Sequence, residues 1–205
     1  MVLGRSLRKG QKTYTPAFLP DKSLWVGLRE PFAGELIIPR KLRGGYRVHI
    51  NPFPCNPVGR QVRLSSNFIS YTDCLATDSA KGVDRLTAAT IIAAFLVSSF
   101  GQLQIESLAN NREGCLSVED HHLNLVHVID PRQMTPTERD SILTAFSNLR
   151  YPVPMNLVAS QLPDRQRLDE AIAQHICRLS GTWTPNDLLT ETWGALDEYT
   201  IARNL

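Results

Sequence analysis

Val83-Asp-Arg-Leu-Thr-Ala-Ala-Thr-Ile-Ile-Ala-Ala-Phe-Leu-Val97, running into Ser98-Ser99-Phe100-Gly101, is the stretch around which the chain is arranged. Asp84 suits the start of a helix, because its carboxylate accepts from free first-turn amides and favours the positive helix end. The apolar run outlasts an ordinary strand, and alanine is the best helix former, so the stretch predicts a helix. Apolar on nearly every face, that helix belongs inside a core. At roughly 12 to 14 residues before the serines it falls short of the ~20 that a bilayer requires.

Downstream, Gly114 breaks the pattern, and Leu116-Ser-Val118 leads to an acidic turn at Glu119 and Asp120. With Cys115-Leu116-Ser-Val118 before that turn and Leu123-Asn-Leu-Val-His-Val-Ile129 after it, the stretch predicts strand, short turn and strand, ended by Asp130-Pro131. Thr135-Pro136-Thr137-Glu138 is a capping box with proline at the first helical position, and Ile142, Leu143, Ala145, Phe146 and Leu149 keep helical spacing behind it. Leu162-Pro163-Asp164 and Thr184-Pro185-Asn186-Asp187 open two further amphipathic helices.

Upstream, residues 1 to 35 are rich in turn formers around Leu24-Trp25-Val26-Gly27-Leu28, which predicts loops with one or two strands. Glu35-Leu-Ile-Ile-Pro-Arg40 reads as a strand stopped by proline, and Tyr46-Arg-Val-His-Ile50 alternates with period two. Arg43-Gly44-Gly45 between them predicts a hairpin, since tight turns need positive φ. Asn51 to Pro57 is an irregular loop, after which Arg60-Gln-Val-Arg-Leu64 alternates again. The expected fold class is α+β. A β-rich basic part, residues 1–82, packs on the buried central helix and a helical part, residues 83–205, as one compact unit.

With 205 residues, 42% hydrophobic and 20% charged, the chain has ordinary globular composition and enough apolar material for a sizeable core. Cys55, Cys74, Cys115 and Cys177 form no C-x-x-C pair, which argues for reduced thiols and against structural zinc. The first ten residues lack the apolar core of a signal peptide, so a cytoplasmic protein is expected, without membrane association. The net charge of +2 hides an asymmetry: residues 1–82 carry 13 Lys and Arg against 5 Asp and Glu, net +8, and the remainder carries 9 against 15, net −6. Clustered basic charge of this kind suits a polyanion, because Lys and Arg displace phosphate counterions.

Few motifs carry catalytic chemistry. Glu119-Asp120-His121-His122 holds metal-ligand types, yet four consecutive residues cannot readily converge on one ion, and a solvated turn is the expected reading. Asn51-Pro52-Phe53-Pro54 has the residue types of a base-gripping Asn-Pro-Pro-aromatic loop in the wrong order. Phosphate-loop, nucleoside-cofactor glycine and Ser-His-Asp cues are lacking. The chain is therefore not expected to be catalytic alone. What remains is a basic set: Arg8 and Lys9 in the lead segment, then Arg40, Lys41, Arg43, Arg47, Arg60 and Arg63, followed by Ser65, Ser66 and Asn67. Arginine can take guanine O6 and N7 with two hydrogen bonds, and Ser and Asn bond phosphates or adenine edges, so these are the candidate DNA-binding residues.

The order of features resembles the C-terminal target-recognition (specificity) domain of type II restriction-modification N6-adenine DNA methyltransferases. The residues that carry it are Ile37-Ile38-Pro39-Arg40-Lys41 with Arg43, a strand ending at Asn51, and Arg63 with Ser65-Ser66-Asn67-Phe68. Val97-Ser98-Ser99, Gly114-Cys115-Leu116, Asp130-Pro131 and Arg165-Gln-Arg-Leu168-Asp169 to Ile172 continue it, over roughly Glu35 to Arg178. Ser98 stands where the family usually has Asn, and the cofactor-binding half is absent. The resemblance implies recognition of a short double-stranded DNA sequence for adenine methylation. It places S-adenosylmethionine on a methyltransferase catalytic domain or subunit that acts as partner, and no cofactor in this chain. The rival readings are a protein–protein interaction module docking through its acidic helices, and a small enzyme with a site around His121 and His122.

Overall fold

The computed structural model describes residues 34–51, 68–71, 83–112 and 115–204, and it has the α+β architecture expected from the sequence. Asp84 caps α1 (Arg85–Val97) by accepting from the Thr87 amide at 2.9 Å. Nine of the thirteen α1 residues, Ala88, Ala89 and Ile91 to Val97, are buried. Among the described residues no single helix is long and apolar enough to cross a membrane.

The chain turns by 65° between α1 and α2 (Ser99–Leu108). Ser98 serves both helices. Its amide bonds the Ala94 and Phe95 carbonyls, its hydroxyl donates to Phe95 O at 2.6 Å, and the same oxygen accepts from the Gly101 amide. The turn needs glycine at 101, because a Cβ there would stand 2.3 Å from the Phe95 carbonyl oxygen.

Short strands surround this helix pair. β1 (Leu36–Pro39) lies between β4 (His49–Ile50) and β5 (Phe68–Tyr71) in an antiparallel sheet, with Leu36 opposite both Ile50 and Tyr71. β2 (Lys41–Leu42) and β6 (Asn110–Arg112) flank β7 (Cys115–Ser117), and β3 (Gly45–Tyr46) pairs with β8 (Val153–Pro154). Leu36, Ile38, Leu42, Tyr46 and Val48 join the α1 residues in one core cluster. Between β1 and β4, which pair with each other, β2 and β3 thus take partners from the later half of the chain.

The helical part follows its sequence signals closely. Thr135 and Glu138 form the reciprocal capping box of α4 (Pro136–Ser147), with Thr135 N to Glu138 Oε2 at 2.7 Å. α5 (Pro163–Ser180) ends at Gly181, whose φ of 65° gives a left-handed cap that glycine adopts freely. α6 (Pro185–Asn204) starts on the Thr184 and Asp187 pair. α5 packs against α4, α2 and α6, which joins the C-terminal helices to the kinked pair.

Two expectations are corrected. β1 and β4 do pair, but Gly44 and Gly45 do not close a simple hairpin between them. Gly44 has the positive φ, 68°, whereas Gly45 is drawn into β3 against β8, where a Cβ would meet the Pro152 ring at 2.9 Å. Residues 40–48 are thus a stapled excursion. Of the strand, short turn and strand expected over 115–129, the first strand forms as β7, but Leu123–Ile129 does not form the second. Leu123 closes a one-turn helix, α3 (Asp120–Leu123), Asn124 and Leu125 form a turn, and residues 126–129 lie outside any sheet, with the Gln104 side chain bonded where a neighbouring strand would be. Its amide donates to His127 O at 3.0 Å and accepts from His127 N at 2.9 Å. The lead segment, the loop after Asn51 and the Arg60 to Leu64 alternation lie outside the described residues.

Candidate nucleic-acid interface

Residues 40 to 49 place basic side chains on a backbone pinned from several sides. Arg40 is the innermost. Its guanidinium reaches Glu119 at 2.6 Å and both Asp120 oxygens at 2.9 and 3.1 Å, and its carbonyl accepts from Val118 N at 2.8 Å. This charge-assisted clamp ties the start of β2 to the first turn of α3. The acidic turn therefore serves as Arg40's partner, and its His122 is buried, with Nδ1 accepting from the Glu119 amide at 3.1 Å. Burial, with His121 adding, pushes the His122 imidazole below its ordinary pKa.

Beyond Arg40 the chain alternates. Leu42, Tyr46 and Val48 are buried, while Lys41, Arg43, Arg47 and His49 are exposed. Lys41, Arg43 and Arg47 have no carboxylate partner among the described residues. Lys41 is held by register with Ser117, and Tyr46 by register with Val153. Between β3 and β4 the pin is Tyr151, whose hydroxyl accepts from Val48 N–H and donates to Val48 C=O. The Tyr151 ring meets Phe146 edge-on with centroids 6.4 Å apart, and burial pushes its phenol up to about 12. The result is a ridge of outward cations on a fixed base. Its geometry suits contact with phosphates and groove edges.

Beneath the ridge lies a buried polar node. Asp169, fully buried on α5, accepts from Ser99 N at 2.8 Å, from the Ser99 hydroxyl at 2.6 Å and from Trp193 Nε1 at 2.8 Å. Arg165, one turn earlier and 2% exposed, supplies a counter-charge, and Tyr46, Gln102 and Glu106 are buried too. Burial pushes Asp169 up and Arg165 down; each charge partly offsets the shift of the other. Among the described residues Tyr46 Oη, Gln102 Oε1 and Arg165 Nε and Nη2 have no hydrogen-bond partner. Ser99 and Asp169, seventy residues apart, both fall in stretches that carried the family resemblance, and the fold brings them into contact.

Of the candidate DNA-binding residues, Arg40, Lys41, Arg43 and Arg47 are brought onto one segment, with Arg40 held in a clamp. Arg8, Lys9, Arg60, Arg63, Ser65, Ser66 and Asn67 lie outside the described residues. His49 and Tyr151 join the candidate site from the structure. His49 stood in the alternating run but carries no formal charge, and Tyr151 acts on a backbone 103 residues away.

A family model described as "Restriction endonuclease BpuSI, specificity domain" matches residues 5–153. A search of curated proteins and a search of solved structures each gave no match. The matched span takes in the whole basic segment, the kinked helix pair and α4, and it stops inside β8, before α5 and α6.

Proposed function

Because this chain belongs to the family of the BpuSI restriction endonuclease specificity domain, a family of sequence-specific DNA-recognition domains, we propose that the ridge from Lys41 to His49 is its DNA-reading surface. The observation that carries the proposal is the in-and-out alternation of the stapled segment. Buried Leu42, Tyr46 and Val48 fix the backbone, so Arg43 and Arg47 have only their side chains to order when they meet a groove. Groups already held in place lose less conformational freedom on binding. In this reading Arg40 organises the ridge rather than contacting bases. Arg8 and Lys9 track the phosphate backbone, and Arg60, Arg63, Ser65, Ser66 and Asn67 add contacts from the stretch of sequence that precedes β5.

The proposal extends to the setting of that recognition. The family names a restriction endonuclease, and the resemblance to adenine-N6 methyltransferase specificity domains supports methylation of a recognised adenine as the reaction served. This chain supplies specificity in the cytoplasm, and a partner domain or subunit carries S-adenosylmethionine and the chemistry. The lack of a glycine cofactor loop or an ordered Asn-Pro-Pro-aromatic loop in the sequence supports that division of labour.

Fluorescence anisotropy with labelled duplex DNA tests the reading. With six phosphate contacts, log K should fall against log salt with a slope of about −5. Binding that does not change between low and moderate ionic strength would overturn it.

A further inference from the structure

We propose that His49 is a second base-reading residue beside Arg47, and that Tyr151 is the positioning residue that sets the spacing of the two; this rests on the ridge being the DNA-reading surface. Arg47 and His49 flank buried Val48 and are both exposed, the pattern of extended backbone in which residues i and i+2 share a side. Residues so placed stand about 6.6 to 6.8 Å apart along the chain. Successive base pairs rise by about 3.4 Å, so the two side chains address base pairs two steps apart, with one pair skipped between them.

Tyr151 makes that spacing a fixed one. β3 is held by β8 and β4 by β1, but residues 47 and 48 belong to no strand. The Tyr151 hydroxyl fills this gap, since it meets both the N–H and the C=O of Val48 and so replaces a neighbouring strand at the residue between the two readers.

The two side chains offer different chemistry. Arg47 is donor-only and suits guanine O6 and N7. A neutral imidazole has one N–H to give, and N7 is the major-groove acceptor that purines have and pyrimidines lack. Burial and the neighbouring Arg47 both disfavour the charged form of His49, which supports its acting as a neutral donor rather than as a phosphate-holding cation. The recognised sequence should thus contain a guanine and, two steps away, a purine.

The test uses the full chain. A preferred duplex is selected from random DNA, and each position is then varied against wild-type protein, Arg47→Ala, His49→Ala and Tyr151→Phe. Arg47→Ala should relax discrimination at one pair by about tenfold or more, and His49→Ala should do so two pairs away, each leaving the other preference intact. Tyr151→Phe keeps the ring and loses the hydroxyl. It should weaken discrimination at both pairs while the salt slope stays near wild type and circular dichroism shows the chain still folded at the assay temperature, a split that mere loss of fold would not give. If His49→Ala weakens all duplexes alike and lowers the salt slope, or changes nothing, the inference fails although the ridge still reads DNA. If Tyr151→Phe leaves discrimination intact, Tyr151 is not the spacer. Wild-type protein that binds with no preferred sequence overturns the ridge reading itself.

Discussion

Replacing Asp169 by alanine removes the single acceptor on which Ser99 N–H, the Ser99 hydroxyl and Trp193 Nε1 converge, and it leaves Arg165 charged and 2% exposed without its first counter-charge. Breaking a buried charge pair from one side costs about 3 to 5 kcal/mol, because the remaining ion stays out of water. The orphaned donors would each cost about 1 to 3 kcal/mol separately, but they share one acceptor and their losses overlap. We therefore expect about 4 kcal/mol, a large part of the 5 to 15 kcal/mol that holds a typical domain. Urea unfolding followed by tryptophan fluorescence and circular dichroism measures it, and the thermal midpoint should fall by about 8 to 16 °C. The double variant Asp169→Leu with Arg165→Met removes both charges and should recover more than half of the loss. A cost below about 1 kcal/mol for Asp169→Ala, or a double variant no better than the single, would refute the assignment of this node as the junction of α2, α5 and α6.

Gly101→Ala places a methyl group 2.3 Å from the Phe95 carbonyl oxygen and 2.6 Å from Leu96 Cα, so unfolding measurements should show a loss of about 3 kcal/mol, the upper end of ordinary overpacking. Glu138 is pushed up by burial but brought down further, to about 2, by Arg178 and its two hydrogen bonds with Thr135. Its folded pKa lies below the ordinary 4.5, so its contribution is complete above that pH and is lost as pH falls toward 2. Glu138→Gln should cost about 1 kcal/mol at pH 7, allowing for solvent screening, with wild type and variant converging near pH 2 in urea titrations. Arg43→Ala should leave stability unchanged and cost about 1 to 3 kcal/mol of affinity for the preferred duplex, with relaxed preference at one position. Arg40→Ala should instead lower stability by about 1 kcal/mol through the loss of its clamp on Glu119 and Asp120.

The helices were legible because their signals are local. Asp84, the Thr135 and Glu138 box, and the Thr184 and Asp187 pair each act within three residues, and all three start the expected helices. The strand pairing was legible only in part. β1 and β4 find each other, but β2 and β3 are two-residue strands whose partners lie across the chain in β7 and β8, and no local pattern names them. Leu123 to Ile129 misled because its apolar pattern suits a strand, whereas the chain ends α3 at Leu123, turns at Asn124 and Leu125, and meets the Gln104 side chain rather than a ladder. At the site, the type of charge could be read, but whether a charge was already engaged could not. Arg40 is like Arg43 in sequence, and only its carboxylates 79 and 80 residues away distinguish the two. Ser99 and Asp169 were marked by motif order, whereas their mutual hydrogen bonds came from the fold.

Selection of this chain's preferred duplexes from a random pool, read out by sequencing, tests the central claim most directly. A sequence-reading ridge predicts enrichment of one short motif, and the same selection with Arg43→Ala and Arg47→Ala together should lose it while retaining salt-sensitive binding. A final pool no different from the starting pool, or a motif unchanged by the double variant, would contradict the claim that residues 41 to 49 read DNA.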